Sequence, residues 1–119
     1  MAFVVNIEEE TLSNPAFRNV ISTTRHMQLV LMSLNPGEDI GAEVHHVDQF
    51  IRIERGQALA IVAGEKYRLS DGDVIIIPAG SHHNIYNVDN DQLKMYSIYA
   101  PPQHNMGLVE MRKPNYSRR

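Results

Sequence analysis

The sequence predicts an all-β protein, arranged as a sandwich or a closed barrel of about nine short strands. Two observations support this fold class. Short runs of alternating or continuously apolar residues follow one another along the chain, and Gly, Pro, Asn and Asp separate them. After residue 25 the sequence lacks a convincing apolar stripe with the spacing of a surface helix. At 119 residues the chain fits one domain, which we take as residues 1–119.

The predicted strands lie between residues that favour turns. Asn35-Pro36-Gly37 ends the first clear strand, and Ala63-Gly64 predicts a tight hairpin. Asp71-Gly72-Asp73 and Pro78-Ala79-Gly80 enclose a short apolar run. From these boundaries, the predicted strands are residues 26–34, 40–45, 49–54, 57–62, 66–69, 74–77, 82–88 and 92–100.

The two ends of the chain are less regular than its middle. Residues 17–21 are compatible with a strand, and residues 8–14 are compatible with one helical turn. We therefore expect the core of the barrel to cover about residues 26–100, with residues 1–25 and 101–119 as flanking segments.

The composition argues against several classes of partner and location. A net charge of −3 does not suit a nucleic-acid surface, because phosphate binding needs a basic face. The sequence has no apolar run of about 18 residues, so we expect no membrane partner. Its first residues lack the basic start and apolar stretch of a signal peptide, which predicts a cytoplasmic protein. Because cysteine is absent, a metal site in this chain cannot use thiolates.

Metal-ligating residue types gather in three short segments. These segments are Glu43-Val44-His45-His46, Asp48-Gln49-Phe50 and His82-His83-Asn84. Around the third segment, glycine, proline, histidine and asparagine follow a long spaced pattern: Gly, five residues, Pro-x-Gly, two residues, His, three residues, Asn. The chain matches every position of this pattern, at Gly72, Pro78, Gly80, His83 and Asn87.

This pattern resembles the second motif of the cupin superfamily. The frame of the first cupin motif is also present, at Gly37, position 43, His45, position 49 and Gly56. Glu43 stands where cupins usually have the first histidine, and Gln49 stands where they usually have glutamate. The chain is similar to a subgroup of small cupins that reads Glu-x-His followed by Asp-Gln-Phe.

The resemblance implies a double-stranded β-helix, or jelly-roll barrel, with one divalent metal ion in its interior. The ligands that it implies are Glu43, His45, Gln49 and His83. The alternation of side chains along a strand is consistent with this set. Gln49 lies on the same face of its strand as the apolar Ile51, and His83 lies on the same face as the apolar Ile85. The adjacent His46 stays open as an alternative to His45.

Two nitrogen and two oxygen donors favour Mn, Fe or Ni, with Zn as an alternative. Four protein ligands on an octahedral ion leave two positions for water or substrate, as in catalytic metal sites.

We therefore expect a metal-dependent enzyme, isomerase- or lyase-like, that acts on a small oxygen-rich molecule such as a sugar, a uronate or a keto acid. A cupin family that acts on unsaturated uronates also places glutamine in the metal shell, which favours this interpretation. A non-haem iron dioxygenase and a non-catalytic binding protein or sensor are the alternatives.

The residue that transfers protons or contacts substrate is left open among four candidates, His104, Tyr99, Tyr96 and Gln28. Tyr96 and Tyr99 lie on opposite faces of one predicted strand, so only one of them can face the cavity. Phe50 falls on the face opposite the proposed ligands, and an apolar residue on an outer sheet face favours self-association. We therefore expect a homodimer.

Overall fold

The computed structural model describes residues 1–114 and arranges their strands in two antiparallel sheets. Within these residues there are one helix and nine strands. Their bounds are α1 Ile7–Ser13, β1 Arg18–Thr23, β2 Gln28–Leu34, β3 Asp48–Arg55, β4 Ala58–Val62, β5 Glu65–Leu69, β6 Val74–Ile77, β7 His83–Asn87, β8 Leu93–Ala100 and β9 Val109–Glu110.

The larger sheet has the strand order β6-β3-β8-β2-β1-β9, and the smaller sheet has the order β5-β4-β7. Strand β3 shows how the sequence sets the inner face, since its buried residues alternate with more exposed ones. Its inward side chains Gln49, Ile51 and Ile53 are each almost fully buried. Ile51 and Ile53 join apolar residues of both sheets in one core cluster, which includes Ala60 of β4 and Ile85 of β7. The prediction of an all-β jelly roll is confirmed.

One predicted strand is wrong. Residues 40–45 do not form a regular strand, and the chain instead makes two isolated bridges, Asp39 with Tyr86 and Glu43 with His83. Gly41 lies between the bridges with φ +101°, a conformation that favours glycine and interrupts an extended strand. The strand is therefore replaced by an irregular segment that still pairs with β7 at its two ends.

The N-terminal region forms the short helix and the strand with which its sequence is compatible. Helix α1 begins after Asn6, whose side-chain oxygen accepts a hydrogen bond of 2.9 Å from the backbone N–H of Glu9. Three glutamates in its first turn suit the positive end of the helix dipole. Strand β1 lies one residue later than predicted at its start and two residues later at its end. No helix within residues 1–114 has the length and apolar character needed to cross a membrane.

A C-terminal segment that the strand prediction left unassigned completes the larger sheet. Strand β9 pairs with β1, placing Glu110 opposite Arg18. The backbone N–H of Val20 also donates a hydrogen bond of 2.8 Å to the carbonyl of Leu108. These contacts hold residues 108–110 along the edge of β1.

Candidate metal centre

Two histidines and one carboxylate meet between the irregular segment and β7. Glu43 and His83 exchange two backbone hydrogen bonds of 2.9 Å each, which holds the two residues side by side. His45, two residues after Glu43, is directed to the same point. One ligand atom from each of the three residues lies within 4.8 Å of the others, so this cluster could hold a metal ion.

The side-chain distances show how closely the three groups converge. The carboxylate oxygen Oε1 of Glu43 is 3.2 Å from Nε2 of His45 and 3.8 Å from Nε2 of His83. The imidazole rings of the two histidines lie with their centroids 5.2 Å apart. His46, the alternative to His45, is exposed to solvent.

The environment of His83 leaves one nitrogen available to a cation. Its Nδ1 lies 3.0 Å from the carbonyl oxygen of Ser81, and because a carbonyl only accepts, Nδ1 must carry the proton. The other nitrogen, Nε2, is buried and has no hydrogen-bond partner among residues 1–114. A metal-binding histidine usually has this arrangement, in which one ring nitrogen donates to a carbonyl and the other is left to bind the ion.

Gln49 has a second buried acceptor atom without a hydrogen-bond partner among residues 1–114. Its side chain is almost fully buried, and its Nε2 donates to Ser97 Oγ at 3.3 Å and to Tyr99 Oη at 3.1 Å. Its oxygen Oε1 is buried and finds no partner within the described chain. Burying an acceptor without a partner is unfavourable, so both this oxygen and the free nitrogen of His83 suit a bound cation.

Glu43 is held in the charged form that a cation requires. Burial by itself would raise its pKa, but the hydrogen bond from His45 and the electrostatic effects of His45, Arg18 and His83 bring the pKa below its ordinary value of 4.5. The carboxylate is therefore ionised at neutral pH. The donor chemistry of Glu43, His45 and His83 fits a divalent ion.

Tyr99 lies beside this cluster, and Tyr96 does not. The ring of Tyr99 meets the ring of His45 edge-on at 5.7 Å, and burial followed by the charge of Glu43 raises the pKa of its hydroxyl. Tyr99 is thus a neutral hydroxyl at any ordinary pH. Tyr96 stacks on Phe50 at 6.2 Å on the opposite face of the sheet.

His104 packs against the same group from the C-terminal segment. Its ring centroid is 5.0 Å from that of Tyr99 and 6.4 Å from that of His45. Burial and then the positive charge of Arg18 lower its pKa to about 4, so the ring is neutral at pH 7. Its Nε2 is buried without a hydrogen-bond partner among the residues described.

Gln28 holds the loop that carries His104. Its side-chain oxygen accepts hydrogen bonds from the backbone N–H groups of Gln103, at 3.1 Å, and His104, at 2.8 Å. Its amide group donates to the carbonyl of His104 at 2.8 Å. The side chain is fully buried and committed to these contacts, so it positions His104.

Arg18 is a residue of this region that the sequence patterns did not predict. This side chain is buried, forms an ion pair with Glu110 and places its Nη2 3.9 Å from Oε2 of Glu43. Strand parity offered a signal, because Arg18 shares a face with the apolar Val20 in the predicted strand at 17–21. Its partner Glu110 gave no such signal, since β9 has only two residues.

Comparison with known proteins gives a consistent assignment. Residues 30–99 match the family model of the cupin domain. The uncharacterized protein L612 of Acanthamoeba polyphaga mimivirus is 50% identical over 117 residues, which are 94% of this chain and 73% of that protein. The uncharacterized protein YrkC of Bacillus subtilis is 47% identical over 118 residues, which are 93% of this chain but only 63% of YrkC.

A solved structure is similar over almost the whole chain. The crystal structure of BH2720 from Bacillus halodurans is 48% identical and superimposes with a TM-score of 0.93, covering 95% of this chain and 91% of that one. The family match spans residues 30–99, which is more than half of the 119 residues. On these grounds, together with the geometry described above, the chain belongs to the cupin family.

Proposed function

We propose that this cupin is a divalent-metal-dependent enzyme, isomerase- or lyase-like, that acts on a small oxygen-rich molecule such as a sugar, a uronate or a keto acid. The observation that carries the proposal is a pair of buried, unpartnered atoms, one in the Glu43–His45–His83 cluster and one on Gln49, whose amide contacts the hydroxyl of Tyr99. These atoms are Nε2 of His83 and Oε1 of Gln49, each without a partner within residues 1–114. Both are electron-pair donors, which is what a cation needs and what a purely structural polar cluster would avoid.

The residues that would hold the ion are Glu43, His45 and His83, with the oxygen of Gln49 as the fourth ligand. Two nitrogens and two oxygens suit Mn, Fe, Ni or Zn. When bound, such an ion polarises a carbonyl or holds adjacent hydroxyl groups of a substrate. Gln49 is fixed by Ser97 and Tyr99, so its oxygen is positioned before any ligand arrives.

His104 and Tyr99 are the groups placed to act on a substrate. His104 is neutral at pH 7, so its unpartnered Nε2 can accept a hydrogen bond from a hydroxyl group of the substrate. Tyr99 keeps its proton and can donate a hydrogen bond to a developing negative charge. Gln28 holds the His104 backbone and thereby sets the position of this imidazole.

A second candidate function is an iron-dependent dioxygenase. The observation that favours it is the composition of the three-residue cluster, which has two histidines and one carboxylate, the donor set of the non-haem iron oxygenases. In that case the oxygen of Gln49 would not be a ligand, and two or more positions on the ion would stay open.

Elemental analysis of the full chain, purified without an affinity tag, tests the first requirement of the proposal. We expect about one divalent ion per chain. The loaded protein is then assayed against sugars, uronates and keto acids under nitrogen with Mn, Ni or Zn, and with Fe in the presence of oxygen. Turnover under nitrogen supports the isomerase-like enzyme, and oxygen uptake supports the dioxygenase. Metal-dependent ligand binding without a product would instead identify a sensor, and protein that takes up no metal would contradict the proposal.

A further inference from the structure

Arg18 is a buried cation with a donor nitrogen that has no acceptor among residues 1–114. An arginine side chain has five N–H donors and keeps its charge in proteins. Here Nη1 binds the carboxylate of Glu110, while Nε is buried without a partner among residues 1–114. The Nη2 atom is 3.9 Å from Oε2 of Glu43, which is beyond hydrogen-bond distance. Burying donors without acceptors is unfavourable, so this guanidinium suits an additional acceptor.

The guanidinium lies directly beside the candidate metal centre. Glu43 lies between Arg18 and the two histidines, because its Oε1 faces the histidines and its Oε2 faces Arg18. Glu43 is also the most exposed member of the cluster, with its side chain 23% exposed against 7% for His45 and 1% for His83. Solvent therefore reaches the cluster chiefly at Glu43, the residue that lies between the two histidines and Arg18.

The charges of this region favour an anionic ligand. A divalent ion and Arg18 together bring three positive charges, and Glu43 and Glu110 offset two of them. His45 and His83 are neutral when they bind a metal, so one positive charge remains. A planar guanidinium with free donors matches the geometry of a carboxylate better than that of a neutral hydroxyl.

We infer that Arg18 binds a carboxylate of the substrate, and that the site takes a small carboxylic acid rather than a neutral sugar. The inference rests on the proposed function, since it places this carboxylate beside the atoms that the metal centre would hold. Arg18 is a binding residue in this account. The alternative role is purely structural, in which Arg18 only ties β9 to β1 through Glu110.

Calorimetric titration of the full, metal-loaded chain separates the two roles. The probes are glycolate and glycolamide, which have almost the same size and differ in charge. We expect glycolate to bind more tightly than glycolamide by about tenfold or more, the effect of one charge-assisted hydrogen bond. Arg18→Met should reduce this preference by about tenfold while metal content stays at the level of the unsubstituted protein. Equal affinities for the two probes, or a preference as large in Arg18→Met as in the unsubstituted protein, would overturn the inference.

A second variant covers the case in which Arg18→Met does not fold. Glu110→Gln removes the competing carboxylate from Arg18 and should raise the affinity for glycolate severalfold. An unchanged affinity in Glu110→Gln would overturn the inference. Metal content is measured on every sample, so failure of the metal centre is detected separately. If the chain takes up no metal, the proposed function fails, and the inference about Arg18 falls with it.

Discussion

Glu43 and His83 are joined by a reciprocal pair of backbone hydrogen bonds of 2.9 Å, although Glu43 belongs to no strand. This isolated bridge brings Oε1 of Glu43 to 3.8 Å from Nε2 of His83. The main chain therefore holds two of the candidate ligands together, independently of what their side chains contact. Replacing either side chain should leave the backbone of the site in place.

The first prediction follows from this independence. His83→Ala should weaken binding of a divalent ion by more than the roughly 10–100-fold that loss of an outer-shell partner costs, while the β fold is retained. Calorimetry measures the affinity, and circular dichroism checks the fold. His82→Ala is the matched control, because His82 is adjacent but exposed, and it should bind metal normally. Equal affinities in both variants would remove His83 from the site.

Gln49→Glu should have opposite effects on the free and loaded protein. A carboxylate at this almost fully buried position destabilises the metal-free chain and should lower its midpoint of thermal unfolding. The added negative charge should tighten metal binding by roughly tenfold or more. Gln49→Met keeps the size and removes the oxygen, so it should weaken binding. If all three proteins bind several divalent ions equally well, Gln49 is not a ligand.

The contacts of Gln28 predict a variant that alters activity without altering the metal site. Gln28→Leu leaves two backbone N–H groups of the 103–104 loop without their acceptor. The expected loss is about 1–3 kcal/mol in the free energy of unfolding, together with a lower turnover because His104 is no longer positioned. Metal content should not change. Asn105→Ala, an exposed substitution in the same loop, is the control and should affect neither quantity.

The ion pair between Asp39 and Lys113 predicts a dependence of stability on pH. Burial alone would raise the pKa of Asp39, but hydrogen bonds from Lys113 and Asn84 bring it below its ordinary value of 3.8. Because the folded pKa is the lower one, the stabilisation is fully present above pH 3.8 and is lost as the pH falls through the folded value.

A double-mutant cycle of Asp39→Asn and Lys113→Met measures this contribution. We expect a coupling energy of roughly 0.2–1 kcal/mol at pH 7, since the pair is partly exposed. The coupling should decline to zero in acid. A coupling that stays constant down to pH 2 would show that the charge of Asp39 is not involved.

The outer face of the larger sheet predicts self-association. Ile76, Phe50 and Ile98 lie opposite one another across β6, β3 and β8, and Ile76 is 66% exposed. An exposed apolar row of this kind suits contact with a second copy. Light scattering at micromolar concentration should give about twice the chain mass, and Ile76→Glu should shift the protein to monomer. Val88→Glu, an exposed substitution after β7, should not. A monomer at high concentration would contradict the prediction.

Periodicity and motif spacing predicted most of the strands and brought Glu43, His45, Gln49 and His83 together in one hypothesis. The same signals failed at residues 40–45, because the positive φ of Gly41 breaks a pattern that alternates correctly in sequence. They also missed the partnership of Arg18 and Glu110. A two-residue strand such as β9 has no measurable period, and its position depends on contacts with β1 that lie far away in sequence.

The most direct test of the metal centre is anomalous diffraction from crystals of the full chain grown with Mn²⁺ or Zn²⁺. We expect one strong peak at about 2.0–2.2 Å from Nε2 of His45, Nε2 of His83 and a carboxylate oxygen of Glu43. A fourth ligand should be the oxygen of Gln49. A peak bound by other residues, or a folded protein whose map has no peak between these side chains at saturating metal, would contradict the central claim.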